Sequence, residues 1–177
     1  MRTGIKNKLA LGLAALLLVA PVAMQARVGP GSLEDHVRNA LAKVPYLGVF
    51  DDLSFRVDGG TVTLFGEVTQ PYKKVDAEDA VKGLEGVTRV NNQIEVLPVS
   101  LFDDQIRAAT FRAIYSFPAL QRYVMGGVPM IHIIVKNGDV RLAGYVSTTG
   151  DRNMAYIRAN SVPGVFSVTN DLQVSDR

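Results

Sequence analysis

Residues 60–68 read G-T-V-T-L-F-G-E-V, and residues 138–146 read G-D-V-R-L-A-G-Y-V. The correspondence runs without a gap to Val96 and Val174. Gly60, Val62, Leu64, Gly66, Val68, Ala77, Gly86, Val87, Val90, Asn92 and Val96 recur, 78 positions on, as Gly138, Val140, Leu142, Gly144, Val146, Ala155, Gly164, Val165, Val168, Asn170 and Val174. Chance rarely places so many shared glycines and valines in one register, so the chain reads as two copies of one small unit.

Working outward from the first stretch, Leu53, Phe55 and Val57 alternate toward Asp58-Gly59-Gly60, and Val62, Leu64, Gly66 and Val68 alternate away from it. That is a hairpin pattern. Upstream, Ser32 is a good helix N-cap with Asp35 three residues on, and Leu33, Val37, Ala40, Leu41 and Val44 recur at helical spacing until Pro45. Downstream, Pro71 suits the first turn of a second helix, with Val75, Ala77, Ala80, Val81 and Leu84 as apolar positions and Gly86 closing it. Val90, Asn92, Ile94 and Val96 make a last strand.

The second copy repeats the order. Asp103 or Asp104 starts a helix carrying Ile106, Ala109, Ala113 and Ile114. Ile131, Ile133 and Val135 lead to an Asn137-Gly138 turn, and the chain returns through Val146. A helix over 151–160 and a Pro163-Gly164 turn precede the last strand over 165–174. The expected fold class is α+β: two tandem αββαβ domains, at 33–98 and 101–175. Each is a three-stranded mixed sheet with two helices on one face, and a right-handed crossover sets the third strand parallel to the second. Pro98-Val99-Ser100 is too short for a floppy linker, so the domains should touch. The uncovered sheet faces, with Thr61, Thr63 and Phe65 in one copy and His132, Ile134, Ala143 and Tyr145 in the other, are the natural contact. Exposure of that face to a partner protein is the competing reading. Gly60, Gly66, Gly86, Gly138, Gly144 and Gly164 read as structural; inside strands, Gly66 and Gly144 would be justified by close approach of a helix or by a bulge. Asn92 and Asn170 read as amides that tie down a neighbouring loop.

Twin G-x-V-x-L-x-G-x-V hairpins, each followed by a helix and by G-V-x-x-V-x-N-x-[IL]-x-V, resemble the BON (bacterial OsmY and nodulation) domain. The resemblance covers nearly everything after residue 26 and is specific for fold rather than activity. It implies a periplasmic protein of the OsmY type with an envelope role, binding phospholipid surfaces or other envelope components under osmotic or membrane stress. It implies no reaction and no cofactor.

The first 26 residues read as a cleavable signal peptide. Arg2, Lys6 and Lys8 precede an apolar run from Leu9 to Ala20, shorter than the roughly 20 residues of a membrane span. The expected location is therefore the periplasm. The chain has no cysteine, which excludes a lipid anchor on a mature N-terminal cysteine, disulfides and thiol catalysis. The full chain carries a formal charge of +2. Residues 33–98 hold seven basic and eleven acidic side chains, and residues 101–177 hold eight and six. Attraction to anionic surfaces is thus expected in the second copy.

The second copy also has about nine extra residues within 115–130, Y-S-F-P-A-L-Q-R-Y-V-M-G-G-V-P-M. Arg107, Arg112 and Arg122 lie in or near one helix there, beside Tyr115, Phe117 and Tyr123. Arginine forks bind phosphate, and tyrosine suits a boundary with one wet end. These six residues form the candidate lipid-headgroup surface. The alternative is that Phe117, Leu120 and Tyr123 close the core beneath a longer loop.

Chemistry finds little purchase. His36 and His132 fall in different copies, and no H-x-x-x-H or H-E-x-x-H spacing supplies a metal site. Asp51-Asp52, Asp76 with Glu78-Asp79, and Asp103-Asp104 read as charged helix starts and solvated faces. No catalytic residue, cofactor or nucleic-acid partner is expected. The expected role is non-enzymatic contact of the second domain with anionic phospholipid or a membrane-associated component. The alternative is a protein-interaction module docking on an envelope enzyme or chaperone.

Overall fold

The computed structural model describes residues 31–126 and 129–175; the expected signal peptide lies outside the described residues. The first domain contains α1 (Leu33–Leu41), β1 (Asp52–Asp58), β2 (Thr61–Val68), α2 (Pro71–Lys82), β3 (Arg89–Asn92) and β4 (Glu95–Val96). The second contains α3 (Leu101–Tyr115), α4 (Pro118–Met125), β5 (Ile131–Lys136), β6 (Asp139–Val146), α5 (Thr149–Asn160), β7 (Ser167–Asn170) and β8 (Gln173–Val174). In both, the hairpin pairs antiparallel, and the last strand runs parallel to the second as the crossover requires.

The last strand is interrupted in each domain rather than continuous. Asn92 ends the first stretch of the ladder: its side-chain oxygen accepts from Ile94 N–H at 3.2 Å, while its amide donates to Lys74 O at 2.9 Å and to Glu78. Asn170 does the same toward Leu172 N–H and Arg152 O. The paired asparagines thus hold the second helix, rather than the expected loop, against the sheet, and Ile94 and Leu172 drop into the core at the break.

Each domain closes its own apolar centre. Val37, Val62, Leu64, Val68, Val81 and Ile94 are essentially fully buried in the first, and Ile106, Ile114, Ile131, Ile133, Leu142 and Val146 in the second. A side chain of this size contributes roughly 1.5–3 kcal/mol when fully buried.

Helix limits follow their caps. Ser32 Oγ accepts from Asp35 N–H at 3.3 Å and donates to the Asp35 carboxylate at 2.9 Å. α1 stops at Leu41, one turn before Pro45. Gly83 ends α2, and Gly86 instead turns the chain into β3 with φ +89°. α3 begins at Leu101, ahead of the expected aspartates, because Ser100 supplies the cap to Asp103 N–H. Val75 faces solvent, and Lys73 takes an inward place with Ala77 and Val81.

Gly66 and Gly144 adopt φ +113° and +105°. A Cβ there would overlap Asp52 O or Met130 O, at the start of the neighbouring strand. The close approach is therefore made by a strand and not by a helix.

The domains meet through one end of their open sheet faces, but charged groups dominate that contact. Arg141 on β6 bonds Asp52 at 2.9 Å and also Glu67, and Lys136 Nζ lies 2.6 Å from Glu95. Leu97, Ile134 and Ala143 are buried, whereas Tyr145 is exposed and Phe65 is half-buried under Arg56. Beside this, the loop before β1 reaches across. Ile133 N–H donates to Val49 O at 2.7 Å, and Phe50 packs edge-on to Phe111.

Candidate membrane-contact site

The insertion of the second domain folds as a helix, α4, which places Arg122 on a different element from Arg107 and Arg112. The six candidate headgroup residues do not form one surface. Arg107 is buried; it pairs with Asp104 and donates to Val135 O at 2.6 Å. Tyr115 is buried and donates to Ile131 O at 2.6 Å; burial pushes its phenol well above the ordinary value. Phe117 is half-buried beneath the Arg158 guanidinium, 4.8 Å from the ring centre. Tyr123 is 2% exposed. Arg112 and Arg122 remain at the surface.

Tyr123 occupies the centre of a built polar cluster. Its hydroxyl accepts from Ser147 N–H at 2.8 Å and from Arg122, and it donates to Asp151 at 2.9 Å. Burial works against ionisation of Asp151. Hydrogen bonds from Thr148 and Tyr123 and the Arg122 charge nevertheless hold its pKa below the usual value. In the first domain, Thr69 and Lys73 occupy the positions of Ser147 and Asp151. There the carboxylate of Asp51 does the work of the Tyr123 hydroxyl: it accepts from Thr69 N–H at 2.8 Å, Thr69 Oγ1 at 2.9 Å and Lys73 Nζ at 2.7 Å. α4 therefore sets the Tyr123 phenol where the first domain has the Asp51 carboxylate.

The carboxylates read as solvated faces divide. Asp51 and Asp103 are buried. Asp103 accepts from the turn amides Asn137 N–H and Gly138 N–H at 3.0 and 2.9 Å, joining α3 to the hairpin. Among the described residues no group of three His, Asp or Glu side chains could hold a metal ion, and no helix is long and apolar enough to cross a membrane. His36 is exposed on α1; His132 is half-buried in β5, with Nδ1 enclosed and unpartnered.

One exposed apolar cluster lies away from the insertion, at the start of α3. Val99 and Leu101 face solvent, Phe102 is 55% exposed and Phe166 is 86% exposed. A Cβ on Gly138 would lie 3.6 Å from Phe166 Cβ and 3.8 Å from Phe102 Cε1, so the two rings flank one hairpin turn. Gly164, beside Phe102, leaves room for that ring. Phe102, Gln105, Ala109 and Arg112, spaced three and four apart, form one stripe of α3 without an acid. α3, α4 and α5 carry five arginines against three aspartates, two of them buried; α1 and α2 carry four cations against five acids.

Sequence reasoning from the insertion missed this patch. One signal was available: the two copies differ at its centre, with Phe166 standing where the first copy has Thr88.

The BON domain family model matches residues 31–98 and 121–176. The chain is 31% identical to osmotically-inducible protein Y of Escherichia coli (strain K12) over 125 residues, which is 69% of this chain and 61% of that protein. The chain thus spans about three-fifths of that relative's length. Two solved structures of CdsD, a structural protein of the type III secretion system of Chlamydia trachomatis, each share 12% identity with it. They cover 84% and 81% of this chain, 100% and 93% of their own, with TM-scores of 0.30 and 0.31. On the twin matched segments and the duplicated fold that carries them, the chain belongs to the BON domain family.

Proposed function

We propose that this is a non-enzymatic protein of the bacterial envelope, exported to the periplasm, which contacts anionic phospholipid surfaces through its second domain under osmotic stress. The observation that carries the reading is the exposed Phe102–Phe166 pair at the head of an arginine-bearing helical layer. The name of the E. coli relative supports the osmotic role. Rings flanking a turn can enter the headgroup boundary without moving the core, and exposed Arg112 on the same helix can then reach phosphates. Full burial of each ring is worth roughly 1.5–3 kcal/mol, and each arginine near an anionic surface about 1 kcal/mol.

The test is co-sedimentation with phosphatidylglycerol-containing and pure phosphatidylcholine vesicles. The anionic vesicles should retain more protein. Phe102→Ser with Phe166→Ser should cut affinity about tenfold or more. Arg112→Glu, at an exposed position, should weaken the preference for anionic lipid. Equal retention by both vesicles, or unchanged binding by the double Ser variant, would reject the reading. Capture of one envelope protein with no vesicle affinity would favour a protein-docking role instead.

A further inference from the structure

Across the open face of the first sheet, Asp52, Glu67 and Glu95 stand side by side, one from each strand position. Asp52 is in register with Glu67, and Glu67 with Glu95. Like charges directly opposite one another on strands about 4.8 Å apart repel, so this row is unfavourable within its own domain. The answering cations come from the other domain. Arg141 bonds both Asp52 and Glu67, with Asp171 of its own domain 3.8 Å away on the far side, and Lys136 pairs with Glu95. The two domains also carry opposite net charge, with the excess acid in 33–98 and the excess base in 101–177.

We propose that the carboxylate row and the Arg141–Lys136 pair form an ionic clasp that holds the two domains face to face, and that rising ionic strength opens it. The paired side chains are 22–47% exposed, so mobile ions reach them. Screening acts on both sides of the equilibrium. It weakens the cross-domain attraction in the closed form, and it relieves the row's own repulsion in the open form. The Debye length falls from about 10 Å at 0.1 M to about 3 Å at 1 M, shorter than the spacing of the row. The contact of Val49 and Phe50 with the second domain is apolar and backbone-mediated, so it persists in salt and serves as the pivot. Opening uncovers Leu97, Ile134 and Ala143.

The chain has no cysteine, so Asp58→Cys with Asn160→Cys, both at exposed positions, can carry a donor–acceptor dye pair, one dye on each domain. Transfer efficiency should fall as NaCl rises from about 0.02 to about 1 M. Arg141→Gln should be low at every salt concentration, with circular dichroism showing it folded. Lys136→Gln, at a half-exposed strand end, should shift the same way should Arg141→Gln disturb folding. The exchange Arg141→Glu with Glu67→Arg should restore the salt response. A salt-independent efficiency in the parent, an equal response to sucrose, or a Lys136→Gln variant matching the parent at low salt would overturn the clasp. None of these outcomes depends on lipid binding.

Discussion

Replacing Lys73 by methionine removes the cation from an interior ion pair while keeping the length of the side chain. Lys73 and Asp51 side chains are 8% and 2% exposed, with Nζ 2.7 Å from the carboxylate. The Asp51 carboxylate keeps hydrogen bonds from Gly48 N–H and Thr69, but its charge is left uncompensated. Removing one partner of a buried pair costs about 3–5 kcal/mol, a large share of the 5–15 kcal/mol total typical of a domain. The pH dependence carries the diagnosis. Burial opposes ionisation of Asp51, yet Lys73 and the surrounding donors hold its pKa below the ordinary carboxylate value. A carboxylate depressed in the folded state contributes stability above its unfolded pKa of about 3.9, and that contribution is lost as pH falls through the folded value. In Lys73→Met burial prevails and the folded pKa rises above the unfolded one. That variant should lose stability as pH rises through the unfolded value, and the gap between parent and variant should narrow on acidification. Urea titrations followed by circular dichroism at about pH 7 and pH 4.5 read both quantities. Asp51→Asn with Lys73→Met should recover much of the loss at neutral pH. A cost below about 1 kcal/mol, or parent and variant running parallel on acidification, would refute the reasoning.

Two further outcomes follow from the same geometry. Gly144→Ala places a methyl against Met130 O in a left-handed conformation and should cost about 3 kcal/mol or more, whereas Gly83→Ala, with open space around it, should stay within about 0.5 kcal/mol; thermal melts of the two compare them directly. Tyr123→Phe strips Ser147 N–H of its acceptor and Asp151 of a donor. It should cost about 1–3 kcal/mol at neutral pH. The depressed Asp151 pKa moves up toward its unfolded value, so the variant has less stability to lose on acidification and the gap to the parent should narrow as pH falls below the unfolded carboxylate value.

The duplicated hairpin, the helices on either side of it and the parallel third strand were legible in the sequence; the extra helix α4, and the helix rather than loop held by Asn92 and Asn170, were not. Each legible feature is a short-range pattern: a period-two alternation, a cap with its partner three residues on, an Asn-Gly turn. The candidate site was not legible in the same way. Arg107, Tyr115 and Tyr123 have the chemistry of a headgroup surface, but their polar atoms are spent on Val135 O, Ile131 O and Asp151, 16 to 28 residues away along the chain. Asp51 reads as half of a surface Asp-Asp pair until Lys73, one helix later, is seen turned inward beside it.

By itself the sequence determined that there are two α+β units of one ancestry, because hydrophobic periodicity and turn chemistry act over a few residues and survive in any context. Only the tertiary structure decided which charges are interior, which aromatic rings reach water, and that Arg141 serves the other domain's acids 74 and 89 positions away. The physical reason is that burial and ion pairing depend on what the rest of the chain brings alongside. A tyrosine or an aspartate carries the same letter whether it closes a core or meets solvent.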